Sequence, residues 1–134
     1  MQLETPYVFD QGFDGLYGLV CTETGDGLIR GEVMVRPELL QPAGLVHGGV
    51  YAAIAESLAS MGTMLGVAEE GRIVMGSSNL TSFMRPITGG TIHALVRARH
   101  RGRTTWVWEA EMSDDSERVC VLSRVTIAVR TART

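Results

Sequence analysis

Gly49-Val-Tyr-Ala-Ala-Ile-Ala-Glu-Ser-Leu-Ala-Ser-Met-Gly-Thr-Met-Leu-Gly66 is the stretch on which the fold turns. It is rich in Ala, Leu and Met, which favour helix, and it lacks proline. Between Val50 and Leu65 the single charged residue is Glu56. A helix that is apolar on nearly every side is normally buried on every side. Ala52, Ala53, Ala55, Ser57, Ala59, Ser60 and Gly62 are small enough to let other backbones come close.

The flanks of this helix read as strand. Upstream, Gly15 to Glu23 is rich in strand formers, Gly25-Asp26-Gly27 supplies a turn, and Leu28 to Arg36 alternates in part, with Ile29, Gly31, Val33 and Val35 on the more apolar side. The segment from Pro37 to Gly44 breaks the pattern. Downstream, Ile73–Phe83, Gly90–Arg101, Thr104–Ser113 and Arg118–Arg130 form four more strands. Alternation is clear in Val119, Val121, Ser123, Val125, Ile127 and Val129, and again in Thr104, Trp106, Trp108 and Ala110. Short connections imply antiparallel pairing. One helix cannot cover a large sheet from outside, so the sheet is expected to curl around it in an α+β fold.

The chain has 134 residues, room for one domain spanning 1–134, with 45% apolar and 20% charged residues. No run approaches the roughly 20 uninterrupted apolar residues of a membrane span, and no signal peptide is evident. Cys21 and Cys120 are far apart and match no metal-ligand spacing, so a disulfide scaffold and a zinc knuckle are both disfavoured. A cytoplasmic protein with two free thiols is expected. All 12 basic residues are arginine. Residues 1–56 carry a net −6 and residues 57–134 a net +3, so the second half could face an anionic ligand. Nucleic-acid binding is disfavoured, because no basic run is interleaved with aromatics. The row Arg97, Arg99, Arg101 and Arg103 reads first as a solvated outer face or a charge-protected edge, with binding of phosphate groups as the alternative. Trp106 and Trp108 read as core or subunit interface.

Chemistry concentrates where the helix begins. His47-Gly48-Gly49 lies at its N-terminus, where unpaired N–H groups favour negative charge and two glycines let a substrate approach the backbone. Such a site could hold a carbonyl oxygen as it becomes an oxyanion; a plain glycine-rich cap is the alternative. Glu56 faces solvent, is paired, or works, because an uncompensated carboxylate in an apolar helix is costly. Ser60, four residues on, shares its face and could orient the carboxylate or a water. Gly48 and Glu56 are eight residues apart, about 12 Å along one helix, whereas a reacting carbonyl must lie within about 3 Å of donor and attacking group. One chain therefore cannot use both. Two helices packed antiparallel about a two-fold axis could, giving an active site shared across a dimer and used twice.

His47-Gly48-Gly49 with Glu56, the single long helix, Phe83-Met84-Arg85-Pro86 and Arg103-Thr104-Thr105-Trp106 together resemble the hotdog-fold acyl-CoA thioesterases. Within them the resemblance is strongest to the Arthrobacter-type 4-hydroxybenzoyl-CoA thioesterases and the wider phenylacetate-pathway group, over roughly Gln41 to Arg130. The resemblance implies a long helix wrapped by an antiparallel sheet, with dimers pairing into homotetramers. It implies hydrolysis of an aromatic acyl-CoA, in aromatic compound degradation, with no cofactor beyond the coenzyme A of the substrate. Glu56 matches the catalytic carboxylate, as nucleophile or as base toward water. Gly48 matches the oxyanion donor, Gln41 an orienting residue, His47 a support of the loop, and Ser60 the hydroxyl that works with water. Arg85, Thr104, Thr105 and Arg133 match the CoA side of the site, and Gly49 and Met61 the substrate-contacting residues.

Alternatives on the same fold are a medium-chain or other acyl-CoA thioesterase, a hydratase or dehydratase, and a non-catalytic acyl-CoA-binding protein. The His-Gly-Gly cap argues against the hydratase, which uses a catalytic histidine at a different spacing from its acid.

Overall fold

The computed structural model describes residues 3–132. The elements run β1 (Tyr7–Val8), α1 (Gly12–Tyr17), β2 (Val20–Gly25), β3 (Leu28–Met34), α2 (Gly48–Val67), β4 (Arg72–Phe83), β5 (Thr91–Arg101), β6 (Thr105–Ser113) and β7 (Val119–Thr131). Single 3-10 turns, Pro37–Leu39 and Ala68–Glu70, lie before and after α2. All strand pairs are antiparallel, in one sheet of order β1-β2-β3-β5-β6-β7-β4. After α2 the chain enters the sheet at its far edge as β4, beside β7, and β5 then returns to pair with β3. The sheet curls around α2, as the apolar helix requires.

Strand alternation sets which side chains meet the helix. Ile29 and Val33 of β3, Ile92, Ala94 and Val96 of β5, Trp106, Trp108 and Ala110 of β6, and Val121, Val125, Ile127 and Val129 of β7 are all buried. They pack against Tyr51, Ile54, Ala55, Leu58, Ala59, Met61 and Val67 of α2. Trp106 and Trp108 stack with ring centroids 6.0 Å apart inside this core, rather than at a substrate site. The Trp108 indole N–H donates to Thr63 Oγ1 at 2.8 Å, and Thr63 in turn donates to the Ala59 carbonyl, so both buried polar groups are satisfied.

Glycines allow the helix and sheet to come this close. A Cβ on Gly62 would stand 2.6 Å from Trp108, and one on Gly66 2.5 Å from Trp106. On the opposite wall, a Cβ on Gly31 of β3 would meet Leu58 Cδ1 at 2.8 Å and the Val20 carbonyl at 2.9 Å.

Three expectations need correction. The stretch from Gly15 does not begin a strand. Gly12–Tyr17 is helical, Gly18 closes it with φ of +81°, and strand starts at Val20. Tertiary contacts outweigh local strand propensity here, because Tyr17 is buried and its hydroxyl donates to Asp14 at 2.6 Å. Second, α2 is not covered on all sides. Gly49, Glu56, Met64 and Gly66 are exposed, because a single sheet wraps only part of the helix. With the turn that follows, α2 is also long and apolar enough to pass for a membrane span by composition, though its inner face is packed in the core. Third, β1 was not foreseen; two residues are too few to leave a periodic pattern.

The arginine row does face outward, but with a break. A register shift between Ala98 and His100 interrupts the alternation. Arg99 lies 3.8 Å from Glu109, while Arg101 bends to Asp26 at 2.6 Å and sits 6.0 Å from the Trp106 ring.

Gly31→Ala is expected to lower the unfolding free energy by about 1–3 kcal/mol, since a backbone oxygen and a core leucine would both have to yield. Urea denaturation measures this.

Candidate active site

The loop before α2 is short and internally bonded. Leu40 bridges Val46, the Gln41 N–H donates to the Leu45 carbonyl at 2.8 Å, and the Gly44 N–H donates back to the Gln41 carbonyl. The loop is tied to the next wall by Val46 N–H on the Ile87 carbonyl. The Gln41 side chain accepts from Ala43 N–H at 2.8 Å and so keeps its amide nitrogen free to turn outward.

His47 is the N-cap of α2. Its Nδ1 accepts from Gly49 N–H at 2.8 Å, which requires the Nδ1 position to be unprotonated. The imidazole thus satisfies one of the first-turn amides. Gly48, at the first helical position, has no intrahelical acceptor for its own N–H. The Phe83 ring lies over Gly48, where a Cβ would meet it at 2.8 Å. Gln41, Leu45, Gly48, Tyr51, Phe83 and Arg85 line a cleft of about 390 Å³ at this end of the helix. Arg85 is exposed there. Tyr51 forms the floor, buried and with no hydrogen-bond partner for its hydroxyl. Burial pushes its phenol up to about 12 from the ordinary 10.0, opposed by the nearby Ile87 backbone amide.

Glu56 lies elsewhere, on the open face of α2. It is exposed and packs over Gly76 of β4, where a Cβ would meet its Cδ at 3.0 Å. Among the described residues no cation pairs with it. The partner position on β4 is a bulge, with the register shifting between Gly76 and Ser78. Ser60, half-buried, follows one turn after Glu56.

On the other flank of Glu56 stands α1. Its Asp14 Oδ1 accepts from the Tyr17 hydroxyl at 2.6 Å and from the Ser57 hydroxyl at 2.7 Å, which clamps α1 to α2 one residue from Glu56. Burial, with the bond to Asp14 next, pushes the Tyr17 phenol far up, and the charge of Glu56 adds to the effect.

The structure therefore gathers Gln41, His47, Gly48, Gly49 and Arg85 at one end of α2, and Glu56 with Ser60 midway along it. Thr104 and Thr105 lie at the opposite end, beside Trp106, which packs on Gly66. Met61 is the misplaced candidate. It is buried in the core, because five residues beyond Glu56 the helix has turned its side chain toward the sheet. Arg133 lies outside the described residues. Sequence reading missed Gly76 and Asp14. A glycine inside the strand Ile73–Phe83 was the available signal for Gly76, since it marks a bulge or a close approach. Asp14 had no signal, because its partner Ser57 is distant in sequence. Among the described residues no three His, Cys, Asp or Glu side chains converge as metal ligands.

Comparison with known proteins assigns this architecture to the hotdog class of thioester hydrolases. Residues 43–121 match the thioesterase superfamily, and the chain belongs to it. It is 41% identical over 123 residues to Rv1847 of Mycobacterium tuberculosis, provisionally named an esterase, which covers 90% of this chain and 88% of that one. The structure of Rv1847 superposes with a TM-score of 0.86 over 91% of this chain and 98% of the other. The proofreading thioesterase EntH of Klebsiella pneumoniae is 37% identical over 84% of this chain and 81% of its own. The thioesterase SAV0944 of Staphylococcus aureus, solved as a glutamine-to-alanine variant, is 25% identical with a TM-score of 0.81, covering 84% of this chain and 93% of that one. A second SAV0944 structure carries a glutamate-to-alanine change instead.

Because the Tyr51 and Tyr17 phenols are held neutral by burial, the folded state retains protons that the unfolded chain releases above about pH 10. Their stabilisation is complete below that pH and is lost as pH rises toward about 12 and beyond. Unfolding free energy measured from pH 8 upward should fall over this window, and Tyr51→Phe should flatten the fall.

Proposed function

We propose that this thioester hydrolase acts on acyl-CoA thioesters with an aromatic acyl group, at sites shared between two copies of the chain. The observation that carries the reading is the position of Glu56 on the open, small-residue face of α2, about 12 Å along the helix from the Gly48 amide of its own chain. An antiparallel second copy brings the two together, with Glu56 of one chain level with the partner's Gly48. The two-fold axis then passes near Ala52 and Ala53, small enough for close helix contact. The same arrangement covers the edge strand β4, whose Ile73, Met75 and Leu80 are exposed and whose outer hydrogen-bonding row is unpaired by β7. It also brings Arg85 of one chain toward the partner's Thr104 and Thr105, since these lie at opposite ends of α2. The minimal active unit is therefore a homodimer, and two such dimers form the homotetramer.

In the reaction the thioester carbonyl oxygen accepts from the Gly48 N–H, and Gln41 orients the acyl carbonyl. The thioester lacks ester resonance, so its carbon is electrophilic. As nucleophile, a Glu56 oxygen bonds to that carbon, the C–S bond breaks, and CoA leaves as thiolate. Water then cleaves the mixed anhydride, releasing the acid and a proton and restoring the carboxylate. As general base, Glu56 takes a proton from water as its oxygen adds to the same carbon, and the proton passes to the leaving sulfur. Ser60 holds the water in either route. His47 keeps the Gly48–Gly49 turn in place through its cap, and Arg85, Thr104 and Thr105, with Arg133, bind the CoA phosphates and arm.

The relatives support this. SAV0944 has been altered at a glutamine and at a glutamate with the same separation that joins Gln41 to Glu56. EntH is by name a thioesterase.

Thiol release from a panel of aryl- and alkyl-CoA thioesters tests the activity. Glu56→Ala should lower turnover by about 10³-fold or more while leaving the dimer intact, and wild-type rates in this variant would remove Glu56 from the site. Gly48→Pro deletes the donor at a helix position whose backbone accepts proline, displacing the exposed Phe83 ring that its Cβ would meet at 2.8 Å, and should lower kcat by about 10²–10³-fold, against a Gly48→Ala control that displaces the ring but keeps the N–H. Mixing Glu56→Ala chains with Gly48→Pro chains should restore about half of the wild-type sites in each heterodimer; no recovery would refute the shared site.

A further inference from the structure

Three sides of Glu56 are spoken for in the shared site, on which the following rests. Along α2 toward its N-terminus lies the two-fold axis and the partner helix. Toward its C-terminus lies the path to Thr104 and, in the proposed dimer, the partner's Arg85, which takes the CoA arm. Across the helix lies Gly76 on β4, the strand covered by the partner. The remaining side is the flank held by α1.

That flank carries a feature the reaction does not use. α1 has six residues, yet it presents Phe13 and Leu16 to open space at 66% and 71% exposure. Exposed large apolar side chains on so short a helix add nothing to its own stability. The helix is nonetheless fixed firmly. Asp14 binds Tyr17 and Ser57 at 2.6 and 2.7 Å, Gly18 caps it in the left-handed region, and Arg36 binds the Leu16 carbonyl. Phe13 stands edge-on to Tyr17 with ring centroids 5.2 Å apart. The Tyr17 hydroxyl in turn shares Asp14 with the hydroxyl of Ser57, the neighbour of Glu56 on α2. Phe13 is thus tied, through Tyr17 and Asp14, to Ser57, the residue next to Glu56 on α2.

We propose that Phe13 is a specificity-determining residue, forming with α1 the wall against which a flat, apolar acyl group lies while its thioester is at Glu56. An aromatic ring gains from this wall twice, through burial of apolar area and through edge or offset contact with the Phe13 ring. A two-carbon acyl group is too short to reach it. Asp14 acts as a positioning residue: by bonding Ser57 and Tyr17 it sets the distance between the wall and Glu56.

The experiment compares kcat/KM for benzoyl-CoA and acetyl-CoA in the wild-type dimer and in Phe13→Ala, Phe13→Leu and Asp14→Asn. Phe13→Ala should lower the benzoyl-to-acetyl ratio by about tenfold, chiefly through KM for benzoyl-CoA. Phe13→Leu keeps an apolar wall without the ring and should lower the ratio by a smaller factor. Asp14→Asn, which weakens two charge-assisted bonds, should move it the same way. A ratio unchanged in Phe13→Ala, or rates falling equally for both substrates, overturns the proposal. So does dissociation of the dimer in that variant, which would make Phe13 a subunit contact. Wild-type protein that cleaves neither thioester overturns the shared-site reading as well; wild-type activity with an unmoved ratio overturns this inference alone.

Discussion

The structure depends on how closely α2 can sit inside the curled sheet. Three glycines set that distance: Gly62 and Gly66 on the helix receive the two tryptophan rings, and Gly31 on β3 receives Leu58. Each contact leaves no room for a Cβ, so the helix is seated by backbone as well as by side chains. Close packing of this kind is stiff, because interiors are as dense as organic crystals and resist small displacements. The rotation of α2 is thereby fixed, and with it the direction in which every helix residue points. Ile54, Ala55, Leu58 and Met61 go inward; Glu56 is turned out.

That rotation turns a liability into a site. A carboxylate on an otherwise apolar helix would be expensive if it pointed at the sheet. Pointed away, it sits on a face of glycine, alanine and serine, against a glycine of an edge strand. The face is too apolar and too small-featured to be a solvated surface, and β4 beside it ends the sheet with an unpaired row of backbone groups. Both incomplete surfaces lie side by side, and in the proposed dimer a two-fold copy would complete them in one step. Meanwhile the amide end of the helix is held ready by the His47 cap and by a short, bonded loop. In the proposed reaction, substrate binding would therefore not have to order the Gly48 amide, which is the condition for an oxyanion donor to act in the transition state.

Much of this was legible in the residues, for identifiable reasons. The helix stood out because composition and the absence of proline act locally. The alternation in β3, β6 and β7 was readable because each of these strands has one face on the core and one in solvent. Glu56, Gly48 and Gln41 stand as a candidate set through the resemblance of their spacing to the thioesterases. What escaped had long-range causes. Gly15–Tyr17 was misread because its helix is held by Ser57 and by burial of Tyr17, neither visible in the local sequence. The burial of Met61 was not legible, because adjacency to Ser60 in sequence is a 100° turn on a helix and the direction of that turn is set by packing. The break in the arginine row came from a bulge that no pattern announced.

By itself, then, the amino-acid order determined that there is one long helix, that strands enclose it, and that an acid and a glycine pair on it are separated by two turns. These follow from propensity and period, which act over a few residues. Tertiary structure alone decided which way the acid faces, which strand is left at the edge, and which short helix stands beside the acid. Those outcomes depend on packing between segments dozens of residues apart, where backbone clearance at a few glycines outweighs any local preference.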